Sequence, residues 1–286
     1  MTVAADRFTG FVAIDWSGAH GVAHKGIRMA RCDRGDAAPG IVAPPGRAWS
    51  RQAVLDWLLD HAAEALLIGF DFSFSAPFVE RGAHLPGEPD TPSAQALWRY
   101  VEQACDDPDL GARSFLEARR GRHFYLGAVD GRKADFLHWR RCEVSRDGAR
   151  KPSTIYDAIG AAQVAKASFA GMRLLHRLDG RMMIWPFDPV RSQGAVVVEI
   201  YTAIAARDGG RPAGRSKIRD AATLDDALAR LGSRCHVPLP VYDDHSTDAI
   251  LAAAWLRNAA TRADLWRPAG MTPHIAATEG WTFGVS

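Results

Sequence analysis

The stretch FVAIDWSGAHG, residues 11 to 21, opens on a run of β-forming apolar residues, stops at a carboxylate and passes into glycines at 18 and 21. Phe11 to Asp15 therefore reads as a buried strand followed by a hairpin turn. Val22 to Cys32 reads as the returning strand, and Pro39, Pro44 and Pro45 confine the next residues to an edge or a loop. From Ser50, placed to cap a helix, Val54, Leu55, Leu58, Leu59 and Ala62 recur with helical spacing. Ala65 to Phe72 then reads as a second buried strand that carries Asp71 at its end. Strand, hairpin, helix, strand is the opening of an α/β fold.

The next clear strand is AVVVEI, residues 195 to 200, more than a hundred residues further on. So long a separation is not a loop. It contains helical patterns at Ser93 to Cys105 and Ile155 to Leu178, which makes 73–194 a mostly helical insertion between two parts of one domain, 1–72 and 195–286. Thr247 to Ala259 closes the chain's core with the apolar face Ile250, Leu251, Ala254 and Trp255. A chain of 286 residues, 47% hydrophobic, carries enough apolar side chain for a sizeable core, and disorder or a fibrous architecture does not fit it. Cys32, Cys105, Cys142 and Cys235 stand far apart with no C-x-x-C pair, so neither a zinc knuckle nor a disulfide framework is indicated. The first residues lack the pattern of a signal peptide and no apolar run is of membrane-spanning length, so the expectation is a soluble, cytoplasmic protein with no membrane partner.

Acids occur where an α/β sheet places its chemistry. Asp15 and Asp71 both end buried strands, and ligands bind outside the carboxyl ends of strands in open α/β sheets. Glu199 interrupts the run AVVVEI, and Asp248 opens the last long helix with His245 three residues before it. Carboxylates that converge repel unless a cation lies between them, and hard oxygen donors favour Mg²⁺ or Mn²⁺ over zinc. Two such ions can clamp a phosphodiester. The expected assignment has Asp15 bridging two ions, Asp71 and Asp248 each completing one, His245 as ligand or proton shuttle, and Glu199 as an outer or alternative ligand. Each residue has a plainer reading too: Asp15 as a turn residue, Asp248 at home near a helix dipole, Asp244 as the helix cap, Glu199 paired with an arginine.

The net charge of +2 is unevenly placed. Leu110 to Lys151 holds 11 Lys or Arg against 5 Asp or Glu, interleaved with Phe115, Phe124, Tyr125, Phe136 and Trp139. Such a mixture can track phosphates while stacking bases, or be a solvated surface around a small core. The expectation is that Arg119, Arg120, Arg122, Arg140 and Arg141 extend the acidic site into a groove for nucleic acid. No G-x-S-x-G elbow is present, which disfavours acyl transfer. The turn after Asp15 suits an actin-like ATP-dependent kinase, but Asp208, Gly209 and Gly210 follow a helix instead of a strand, so the second phosphate loop is missing.

IDWSG at 14 to 18, IGFDFSFSAP at 68 to 77, VEIYTA at 198 to 203, DDHSTDAILAAAW at 243 to 255 and TEGWTFG at 278 to 284 together resemble a bacterial family called domain of unknown function 429. QVAKASFAGM at 163 to 172 and WPFD at 185 to 188 are similar to its other recurring stretches. The family is described as predicted nucleases with an RNase H-like fold. The resemblance implies a five-stranded mixed sheet in the order 3-2-1-4-5, with Asp15 as the first-strand acid and Asp71 as the acid on the strand beside it. His245 and Asp248 are similar to the final-helix motif of RuvC-type Holliday junction resolvases, and Glu199 to a fifth-strand acid of YqgF-type relatives. The sequence departs from the family where Pro77 comes late after Asp71 and where Thr202 follows Tyr201 in place of proline. The function so implied is metal-dependent hydrolysis of nucleic-acid phosphodiesters; a non-catalytic binding or regulatory protein on the same fold is the alternative.

Overall fold

Phe11 to Asp15 is a strand because both of its faces are buried: Val12 and Ile14 join one apolar core, Phe11 and Ala13 the other. The computed structural model of the protein describes residues 6–144, 152–159, 164–212 and 217–286. Among them one mixed sheet is formed by β1 (Gly10–Asp15), β2 (Arg28–Asp33), β3 (Gly40–Ile41), β4 (Leu66–Phe70), β5 (Met183–Ile184) and β6 (Val196–Glu199), in the order β3-β2-β1-β4-β6-β5. β2 is antiparallel to β1 and to β3, whereas β1, β4, β6 and β5 run parallel. The α/β class is as expected, but the sheet has six strands instead of five. The additional one, β5, lies inside the stretch read as a helical insertion, and two residues are too few to leave an alternation in the sequence.

The described helices are α1 (Arg51–Asp60), α2 (Ala94–Gln103), α3 (Arg113–Ala118), α4 (Arg141–Val144), α5 (Val164–Leu178), α6 (Thr202–Asp208), α7 (Ala221–Arg230), α8 (Asp244–Ala259), α9 (Ala263–Trp266) and α10 (Pro273–Thr278). Ser50 and Ser93 cap α1 and α2, their side chains accepting from the backbone N–H groups of Ala53 and Ala96. Between 73 and 194, Leu97, Trp98, Phe115, Phe124 and Phe169 pack into the same core as Val12, Ile14 and Ile68. The insertion thus covers one face of the sheet. α6, α7 and α8 cover the other through Ile204, Leu228, Ile250 and Leu256, against Ala13, Leu67 and Val198. Gly69 allows α8 its close approach, since a Cβ there would lie 2.9 Å from Leu256 Cδ1.

Three boundaries differ from expectation. The return from β1 is a loop through residue 27, and Val22 is exposed. Residues 155–159 are not helical, and 160–163, within the helix expected from Ile155, lie outside the described residues. The last long helix starts at Asp244 instead of Thr247, with Asp243 as its cap: the Asp243 carboxylate accepts from the Ser246 N–H at 2.9 Å. Among the described residues no helix is long and apolar enough to cross a membrane.

Candidate active site

Strand parity decides which acids meet. Asp15 continues the alternation Phe11, Ala13, and Asp71 the alternation Leu67, Gly69, so both carboxylates belong to the side of the sheet that carries α8. In the parallel pair of β1 and β4, Ile14 is in register with Phe70, and the Asp71 N–H donates to the Ile14 carbonyl at 3.1 Å. Asp15 and Asp71 therefore sit side by side, one strand spacing of about 4.8 Å apart in the backbone. Above them α8 presents His245 and Asp248, one helical turn apart. All four line a cavity of about 660 Å³ at the carboxyl end of the strands.

Each acid has one visible partner. The His245 ring meets Asp15 Oδ2 through Nδ1 at 2.7 Å; the Thr202 hydroxyl donates to Asp71 Oδ2 at 2.9 Å; the Lys217 ammonium lies 3.4 Å from Asp248 Oδ2. These partners do not offset the cost of burial. Burial, aided by the neighbouring Asp15 charge, pushes the Asp71 carboxyl up to about 7. Burial likewise pushes Asp248 up to about 6, and it raises Asp15. The hydrogen bond to Asp15 raises His245, so the imidazolium is favoured there. The turn that carries Asp15 is tightly held. The Arg51 guanidinium donates to the Ser17 and Ala19 carbonyls, the Trp16 indole N–H donates to the Ala167 carbonyl, and Gly18 presses on α5 so closely that a Cβ would lie 2.2 Å from the Lys166 carbonyl carbon.

Glu199 lines the same cavity but is held by other partners. It shares parity with Val197 and faces the insertion, where its carboxylate is fully occupied. The Phe74 N–H donates to Oε2 at 2.7 Å, the Thr282 hydroxyl to Oε1 at 2.5 Å, and the Arg140 guanidinium to both oxygens at 2.7 and 2.5 Å. The plainer reading, an arginine partner, is the correct one. Arg140 is itself buried and also holds Glu143 at 2.9 Å, so where it borders the acid cavity its charge is already matched. The other arginines expected to contact phosphate also have acidic partners, with Arg119 mostly buried and Arg120, Arg122 and Arg141 partly exposed. Arg119 and Arg122 both meet Glu88, Arg120 meets Asp130, and Arg141 lies 3.9 Å from Glu80. Phe115, Phe124 and Phe136 are core residues instead of stacking platforms, Tyr125 packs against that core, and the Trp139 indole donates to the Pro152 carbonyl. Arg146, Arg150 and Lys151 lie outside the described residues. A second cavity, about 410 Å³, lies beyond Gly18 and Ala19 and is lined by Arg51, Arg113, Arg120 and Lys166 with Asp107 and Glu117, but not by Asp15, Asp71 or Asp248.

Among the described residues no group of three or more His, Cys, Asp or Glu side chains is placed to hold a metal ion. Mg²⁺ is commonly held by one or two carboxylates, with water and substrate phosphate completing its shell. Asp15 and Asp71 supply such a pair. Sequence reasoning missed Lys217, Thr202 and Arg51 as partners and gave Glu199 an arginine without saying which; Thr202 had a signal, since it directly follows the strand-end unit VEIY, and Lys217 and Arg51 had none. No family model matches the chain, and no curated protein or solved structure matches it.

Proposed function

We propose that the protein hydrolyses nucleic-acid phosphodiester bonds with the help of Mg²⁺ or Mn²⁺. The observation that carries this reading is the pairing of Asp15 with Asp71 at adjacent parallel strand ends beneath His245 and Asp248. Burying these acids leaves a deficit of positive charge that a divalent cation would relieve. The resemblance to domain of unknown function 429 supports the same reading. The mixed α/β sheet, with β2 antiparallel to β1 and β4 parallel to it, supports it too.

A bound cation would neutralise the phosphate and lower the pKa of an attacking water. Asp15 and Asp71 would hold it, and Thr202 and His245 orient their carboxylates. As the water oxygen bonds to phosphorus, the ester P–O bond breaks; His245, favoured in its protonated form, gives its Nε2 proton to the leaving oxygen, and the water's proton passes to solvent. The test is cleavage of DNA and RNA oligonucleotides with and without Mg²⁺. Asp15→Asn should lose cation binding and cleavage together. His245→Ala should keep the cation while cleavage falls by about 10² to 10⁴-fold, the usual worth of general acid catalysis. An active Asp15→Asn protein would overturn the mechanism.

A further inference from the structure

Lys217 stands where the expected two-ion arrangement needs a second cation. Its ammonium lies 3.4 Å from Asp248 Oδ2 and 3.5 Å from Asp244 Oδ2, reaching back from the segment before α7 onto the first turns of α8. Asp244 is also held by Arg219. Asp248 has no other hydrogen-bonding or ion-pair partner among the described residues, so the carboxylate assigned to the second ion is already offset by a fixed positive charge. Asp15 and Asp71 differ: their partners are a histidine and a hydroxyl. Lys217 is also half exposed and lines the acid cavity, so its ammonium is placed to meet a substrate oxygen.

We infer that Lys217 takes the place of a second divalent cation, so that the site binds one ion, through Asp15 and Asp71, and completes its positive charge from the chain itself. A lysine is a compact point charge with rotatable donors, suited to replacing an ion beside a phosphate oxygen. This inference rests on the hydrolase reading, and the experiment separates the two.

The probe is Mn²⁺, counted per chain by calorimetry and by electron paramagnetic resonance, where two ions about 4 Å apart would couple. The wild-type protein should bind one uncoupled ion. Lys217→Met frees Asp248, leaves Asp244 with Arg219, and should bind a second ion, coupled to the first. Lys217→Met/Asp248→Asn, which removes a neutral pair, should return to one. Two ions on the wild-type protein would overturn the inference and leave the hydrolase reading standing. One ion on Lys217→Met would overturn it as well, making Lys217 a surface ion pair only. No ion on any variant would overturn the hydrolase reading itself. The Lys217 side chain is 56% exposed, so its replacement leaves the core intact, and circular dichroism of each variant confirms the fold before counting.

Discussion

Two groups of acids, one buried and one half-buried along the cavity, lie at the same end of one sheet and behave in opposite ways. Around Glu199, every oxygen meets a donor: Arg140 spans Glu199 and Glu143, and backbone N–H groups of Phe78, Val79 and Arg141 satisfy the nearby Glu279. Around Asp15 and Asp71 the described donors are a histidine and a hydroxyl, and burial pushes the Asp71 carboxyl up to about 7; Asp248, with Lys217 beside it, is still pushed up to about 6. A carboxylate whose charge is matched by a guanidinium and by amides is part of the architecture, because it leaves nothing for a ligand to supply. One buried without such compensation costs stability, and that cost is the free energy a bound cation can return. Residue type is the same in both groups; the difference lies in what faces each acid.

The largest expected effect comes from breaking the satisfied group. Arg140→Met leaves Glu199 and Glu143 buried without their cation, and loss of one partner from a buried pair costs about 3–5 kcal/mol. Urea unfolding should show that loss, while the folded variant still binds Mn²⁺ through Asp15 and Asp71. A stable Arg140→Met protein would remove the contrast between the two groups.

The opposite sign is expected in the other group. The Asp71 carboxyl is ionised in the unfolded chain well below pH 7 but resists ionisation in the fold, so at pH 8 its charge opposes folding. Asp71→Asn keeps an acceptor for Thr202, removes that charge and should stabilise the cation-free protein by about 1–3 kcal/mol. The same substitution should abolish the gain in thermal stability that Mn²⁺ gives the wild-type protein. If Asp71→Asn is instead destabilising, Asp71 belongs with Glu199 as architecture.

How much of the fold and the site was legible in the sequence is set by the range of the forces involved. The strand at 11–15, the caps at Ser50 and Ser93 and the helices they start depend on neighbours within a few residues, and they appear where alternation and spacing put them. Asp15, Asp71, His245 and Asp248 were legible as strand-end and helix-start acids with a histidine one turn away. Glu199 was not, because its role depends on which face of β6 it takes, and that is fixed by pairing with β4 across more than a hundred residues. The partners of the basic segment depend on the fold in the same way. Arg140 meets its carboxylate in Glu199 and Arg119 meets its own in Glu88, contacts that composition does not record. Lys217 precedes α7 with no motif around it, and only the fold brings it to Asp248.

The smallest effect is a pH dependence that sharpens the comparison without a mutation. A raised carboxyl favours folding while it is protonated and loses that advantage as pH rises through its folded value. For Asp71 this window lies between the ordinary carboxylate range and about 7, so the cation-free protein should lose stability on going from pH 5 to pH 7.5. Cation binding needs the ionised form and so releases the proton; Mn²⁺ affinity should climb by up to about tenfold per pH unit below 7 and flatten above it. The two trends cross, and melting curves with and without Mn²⁺ should separate as pH rises. Glu199→Gln lowers stability at every pH yet should leave the slope of Mn²⁺ affinity unchanged, since Glu199 is already matched by Arg140. A slope that disappears in Glu199→Gln would mean that the two groups of acids titrate as one, and the distinction between matched and unmatched carboxylates would not hold at this sheet end.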